Sequence, residues 1–320
     1  MIRRLLTSLV LCSALSMAAF AADPEAQWLH STPIREAISQ LQERVKSNPN
    51  DAIALNLLAR AYYSLEQWDD AITTNQRALK VQPNSSDFHE WMGRAYGEKA
   101  ENVGMIGAAS LARKTKAEFE KAVQLNPVST QARLDLSEYL IEAPGFMGGS
   151  IDKARAQADA TERFDVAASH LIRARIAQQK KDYDEAELEF KAAIATSKSP
   201  ANYWINLASF YQSRGRLPEM EKAISTAVSF PNKQGCVLYD AARILNNSGR
   251  NLPGALQYLR QYLAEGRFDE DAPAFHAHYL MGQILEKMKR RPEAAQEYRA
   301  ALQLANDFKK AQDALGKLQG

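Results

Sequence analysis

Apolar side chains recur every three or four positions along most of the chain, which is the spacing of one face of an α-helix. The 34-residue stretch Asp51–Asn84 shows the pattern most clearly. Leu55, Leu58, Ala59 and Tyr62 form one stripe; Trp68, Ala71, Ile72, Ala78 and Leu79 form a second. The polar turn Ser64-Leu65-Glu66-Gln67 separates them, and Pro83 stops the second helix because proline has no N–H and biases the residue before it out of the helical region. Small residues at Ala59 and Ala71 predict that the two helices cross closely.

The same layout returns at intervals. Phe275–Phe308 carries Met281, Gly282, Leu285, Ala294, Tyr298 and Ala301; Ala201–Gln234 carries Trp204, Leu207, Ala208, Tyr211, Gly215, Ile224 and Ala227. Ala167–Pro200 carries Ala174, Ala186, Phe190 and Ala193, with Asp182-Tyr183-Asp184-Glu185 as its turn. This sequence of large, small and aromatic residues followed by Ala, Ala and Pro resembles the tetratricopeptide repeat (TPR) family. The resemblance implies an all-α fold, a right-handed α-solenoid of helix-turn-helix repeats.

Residues 51–306 read as an array of about seven units, of which the second, third and sixth are irregular. The second begins regularly with Phe88, Met92, Gly93 and Tyr96, but Phe119, Ala122 and Pro127 arrive about ten residues late, predicting a lengthened second helix from near Ile106. The third contains Leu136, Ser137 and Leu140, then Ala143-Pro144-Gly145-Phe146-Met147-Gly148-Gly149-Ser150, with Ser150 as N-cap of a helix Ile151–Glu162. This loop resembles one in a subset of secreted bacterial TPR proteins over roughly Asp51 to Pro200. The sixth, near Gly235–Glu265, keeps Leu238, Ala242, Leu245, Ala255 and Leu259. Residues 22–50 form a tail and a capping half-repeat, with Thr32 as N-cap, Pro33 at the first helical position, and Ala37 and Leu41 on the apolar face. Residues 307–320 read as a C-terminal helix that caps the array towards solvent.

Residues 1–21 have another character. Arg3-Arg4, an uncharged apolar run from Leu5 and Ala19-Phe20-Ala21 read as a secretory signal peptide cleaved after Ala21. The run is shorter than a spanning helix of about 20 residues needs, so no membrane span is expected after cleavage. Cys12 lies inside it behind the large Leu11, which disfavours lipid attachment. The expected location is the periplasm, with full secretion as the alternative.

Removing Arg3 and Arg4 from 40 basic residues leaves 38 against 38 acidic ones, so the mature chain lacks the basic surplus of a nucleic-acid binder. Cys236 is then its single cysteine and reads as a small packed residue.

No catalytic constellation appears: there is no H-E-x-x-H, P-loop or nucleophile elbow. His276 and His278 stand two apart on a helix and point in different directions, so no metal site and no cofactor is expected. The helix start after Ser150 could hold an anion, but its loop has no basic residue.

In TPR proteins the residue after the small one faces the concave groove. Here the resemblance implies a column of Arg60, Arg94, Glu138, Arg175, Ser209, Arg243 and Gln283. Four guanidiniums suit carboxylates and peptide carbonyls. One turn further lie Tyr63, Gln178, Gln212 and Asn246, able to bond an extended backbone. Alternatively Glu90, Glu138 and Glu142 neutralise the arginines in solvated pairs. The expected function is a non-catalytic scaffold that holds a protein or peptide partner in this groove, with Phe146 and Met147 as a second contact. The alternative is an accessory component of an envelope transport or assembly system that receives a small ligand.

Overall fold

The structure, a computed structural model, describes residues 33–319 apart from 232–235 and 269. Residues 1–32, on which the expected signal peptide, the tail and the Thr32 cap fall, lie outside the described residues. Sixteen α-helices occur among those described, and no strand. They run α1 (Ile34–Ser47), α2 (Ala52–Ser64), α3 (Trp68–Val81), α4 (Ser86–Glu101), α5 (Met105–Leu125), α6 (Thr130–Glu142), α7 (Ile151–Glu162) and α8 (Val166–Gln179). The order continues with α9 (Tyr183–Thr196), α10 (Ala201–Ser213), α11 (Leu217–Ser229), α12 (Val237–Ser248), α13 (Leu252–Glu265), α14 (Ala274–Lys287), α15 (Arg291–Leu304) and α16 (Lys309–Gln319).

Polar caps start many of these helices. The side chains of Asp51, Ser85, Ser129, Ser150, Asp165 and Asp182 each accept from a backbone N–H in the first turn, satisfying a group that the helix leaves unpaired. At α1 the start falls one residue later than the sequence suggests: Pro33 occupies the capping position, with no side-chain bond. In the second unit both helices are long, 16 residues in α4 and 21 in α5, which accounts for the late arrival of Phe119.

Each helix packs on the next, and the even-numbered helices also touch one another (α2 with α4, α4 with α6, α6 with α8, α10 with α12, α12 with α14). They line the inner surface of an α-solenoid. The interlock explains the small residues. A Cβ on Gly93 would lie 2.5 Å from the Phe119 ring, and one on Gly282 would lie 2.3 Å from Tyr298. Both rings come from the same position of the partner helix. In the first unit that position is Asn75, which accepts from Asn56 at 3.0 Å and donates to the Phe88 carbonyl at 2.7 Å.

The end of the chain departs from a solvating cap. Asp307 and Phe308 belong to the turn before α16, and Phe308 and Ala311 are fully buried. Together with Phe275 and Ala305 they share one hydrophobic cluster with Leu41, Leu55 and Leu58 of the first helices. Gln67 donates to Asp307 at 2.9 Å, and Lys310 pairs with Glu66 at 2.5 Å. The last unit therefore docks on the first, and the array closes on itself.

Candidate functional site

The concave column divides into two halves. In the first, Arg60 on α2 and Arg94 on α4 both lie over the indole of Trp91, their guanidinium carbons 4.9 and 4.7 Å from its ring. Neither faces open solvent. The Arg60 Nε donates to Glu270 at 2.5 Å, and the Ser64 hydroxyl donates to the Glu270 carbonyl at 2.9 Å. Tyr63 donates to Asp271 at 3.3 Å. Arg94 reaches Asp135 on α6 at 2.8 Å, Glu90 at 3.3 Å and Asp271 at 3.8 Å. Glu270 and Asp271 come from the connection between α13 and α14, more than 200 residues away, so an acidic stretch of the same chain fills this half.

Crowded carboxylates shift here. Burial raises Glu90 to about 8 against the pull of Arg94, with Asp135 and Asp87 adding to the rise. Burial also lifts Asp271 to about 6, opposed by Arg94 and reinforced by Glu270 and Asp135. Glu138 on α6 is carried to about 7 by burial, with Arg175 opposing.

In the second half, Arg175 on α8 donates to the neutral Asn206 at 2.9 Å, and Arg243 on α12 pairs with Asp240 on its own helix at 2.9 Å. Ser209 and Gln283 are partly buried, and Gln283 donates to the Tyr279 hydroxyl at 3.1 Å. Gln212 donates to the Ile244 carbonyl at 2.8 Å, bridging two units. The Oε1 of Gln178 and the Oδ1 of Asn246 are buried and have no hydrogen-bond partner among the described residues. Both stand four residues beyond the small residue of their unit, the place Tyr63 holds in the first.

Outside the groove, the loop after α6 forms a short 3-10 turn, Gly145–Met147, that leaves Phe146 77% exposed. Tyr139 donates to the Met147 carbonyl at 2.7 Å, and Gly149 lies so close to Ala143 that a Cβ would fall 1.7 Å from its carbonyl oxygen. Only glycine fits there. Cys236 is fully buried ahead of α12.

Three histidines make one repeated contact. His89, His170 and His278 each stand four residues before the small position, and their Nδ1 atoms lie 2.5, 2.6 and 2.7 Å from Glu118, Glu189 and Glu297 on the second helix of the unit. Aligning the units would have exposed this pairing, because each glutamate directly precedes the packed aromatic residue. His276 instead lies among Phe275 and Phe308, and burial holds it neutral with a pKa of about 3. No group of three or more His, Cys, Asp or Glu suited to a metal occurs among the described residues.

Two family models, each described as tetratricopeptide repeat, match residues 34–94 and 275–308. The chain thus carries tetratricopeptide repeats in its first units and in its last. No curated protein matches it. Similar solved structures include a thermophilic TPR protein from Thermus thermophilus, with 23% identity, coverage of 61% of this chain and 98% of that one, and a TM-score of 0.46. A tetratricopeptide repeat protein from Parabacteroides merdae shares 13% identity over 90% of this chain and 99% of its own, with a TM-score of 0.44. Yeast Tom70 shares 13% identity over 89% of this chain and 78% of its own, with a TM-score of 0.43.

Proposed function

We propose that the protein is a non-catalytic scaffold, exported to the periplasm, that holds an extended segment of a partner protein along the second half of its groove. One observation carries this reading: Gln178 Oε1 and Asn246 Oδ1 are buried acceptors without partners at the same repeat position. Leaving such a group unsatisfied costs about 1–3 kcal/mol. A partner segment that displaces the side chains covering these two atoms supplies the missing N–H donors from its backbone. Arg175 and Arg243 lie along the same surface and add charge-assisted bonds to carboxylates or carbonyls of the segment. Arg60, Arg94 and Tyr63 take no part while Glu270 and Asp271 occupy them. The export signal read in residues 1–21 and the likeness of the Pro144–Ser150 loop to that of secreted TPR proteins support the location.

The test begins with capture of a partner from an envelope extract on the immobilised protein. The partner's affinity is then measured for the parent chain and for Gln178→Leu, Asn246→Leu and Arg175→Ala. Each change is expected to weaken binding about tenfold or more, since each removes a bond of about 1.5 kcal/mol. Arg175→Lys should also weaken it, because lysine keeps the charge but loses the planar fork. Full affinity in all four variants, with unchanged melting, removes the groove and leaves Phe146 as the contact to examine.

A further inference from the structure

The closure of the array concentrates carboxylates in a shielded place. From α2 come Arg60 and Tyr63; from α4, Glu90, Arg94 and Glu98; from α6, Asp135. The connection before α14 adds Glu270 and Asp271, and Glu66 and Lys310 face each other at the rim. His276 meets Asp271 through the backbone and stays neutral, and Tyr63, raised well above its ordinary value by burial, stays a donor. Two guanidiniums thus face four close carboxylates, with Glu98 as a fifth nearby. Full ionisation would leave a net negative charge where water cannot screen it.

We propose that the contact of Glu270 and Asp271 with Arg60, Tyr63, Ser64 and Arg94 is a releasable clasp, tightened by protons that the cluster holds only while the array is closed. It shields two arginines of the concave column from any partner, and its opening uncovers them. The proposal does not rest on the partner reading above.

The direction follows from linkage. Burial, with like charges around it, lifts Asp271 from 3.8 to about 6, and Glu90 and Glu98 from 4.5 to about 8. Opening returns these groups to solvent and towards their ordinary values. The closed state therefore binds more protons than the open one between those limits. The help these three groups give to closure is fully present below about pH 4 and is lost progressively as pH rises through about 6 to 8.

The experiment is small-angle scattering of the full chain at constant ionic strength from pH 5 to 9, with the emission of Trp91, in a variant whose other three tryptophans are replaced by phenylalanine, as a local reporter. The radius of gyration should rise with a midpoint between about pH 6 and 8, and Trp91 emission should change in step as its covering guanidiniums move. The triple variant Glu90→Gln/Glu98→Gln/Asp271→Asn, which mimics the protonated groups, should keep the closed radius throughout. Glu270→Lys, opposed to Arg60, should show the larger radius at both ends of the range with its helicity retained. His89 also titrates nearby, so His89→Gln should swell as the parent does. A parent radius that stays constant, a triple variant that swells like the parent, or loss of swelling in His89→Gln each overturns the clasp. The parent series and the triple variant decide the matter even where Glu270→Lys does not fold.

Discussion

Arg60 and Arg175 hold the same position in their repeats, yet they live in different surroundings. Arg60 is 8% exposed, held by a carboxylate from the far end of the chain and stacked on Trp91. Arg175 is partly exposed and bonded to one neutral amide. The residue type is the same, so what differs is the element that the superhelix brings opposite. A groove position in a repeat protein acquires its role from the whole turn, and the repeat alone does not assign it.

The largest expected effect breaks this comparison at its strong side. Arg60→Ala strands the buried Glu270 and should cost about 3–5 kcal/mol in chemical denaturation, whereas Arg175→Ala should cost about 1 kcal/mol. Equal costs would mean that the first half is as open as the second. Next in size is the packing beneath the second half. Gly282→Leu drives a side chain into the buried Tyr298 ring and should cost about 1–3 kcal/mol, while Gln212→Leu on the groove face loses one bond and should cost about 1 kcal/mol or less. The reverse ranking in thermal melts would displace the repeat register by a residue.

A smaller contrast lies in pH. In the first half Asp271 and Glu90 are raised by burial. Burial works against the charged form of His89 too, but bonds to Glu118 and the Pro83 carbonyl outweigh it and raise the imidazole above its ordinary value. All three groups contribute stability at low pH that is lost as pH rises through their folded values. In the second half burial opposes the Glu187 carboxylate, yet bonds from Lys191, Tyr211 and Arg216 draw it down to about 2. Its contribution is present above the ordinary carboxylate value and lost as pH falls towards 2. Urea titrations at pH 3, 6 and 8.5 should show losses on both flanks, about 1 kcal/mol on the acid side, where solvent screens Glu187, and more on the alkaline side, where Asp271 and Glu90 are shielded from water. Glu187→Gln should flatten the acid flank alone, and Asp271→Asn the alkaline flank alone.

The smallest effect is in the turns. Glu66, Lys181 and Lys289 adopt positive φ values of 61°, 64° and 60°, where other units carry Gly215 and Gly249. Lys181→Gly should raise stability by up to about 1 kcal/mol in the same titrations, because glycine takes this conformation without a Cβ clash.

Much of this was legible in the chain. Alternation of small and aromatic positions announced the helix pairs, since Gly93 and Gly282 make sense only beneath a large ring. Ser150 and Asp182 marked helix starts by their chemistry. The expected groove residues stand on the even-numbered helices, but the fate of Arg60 and Arg94 was hidden. It depends on small rotations summed over seven units, and no local signal encodes that sum. Glu270 and Asp271 sit in an aperiodic connection, where period-based reading has nothing to align. For the same reason the terminal helix looked like a solvating cap: its apolar stripe declares that a face is covered, without naming the cover.

Repeat arrays usually behave as lines, in which each unit leans only on its neighbours and the outermost units fray first. Docking of Phe308 and Ala311 in the cluster that holds Leu41 and Leu55 turns the line into a loop. A loop has no outermost unit. Loss of the last helix would then be felt at the first, and the energy of a local opening would depend little on where along the chain it began. While closed, such a molecule should melt as a single body, although its units were each built to the pattern of a modular chain.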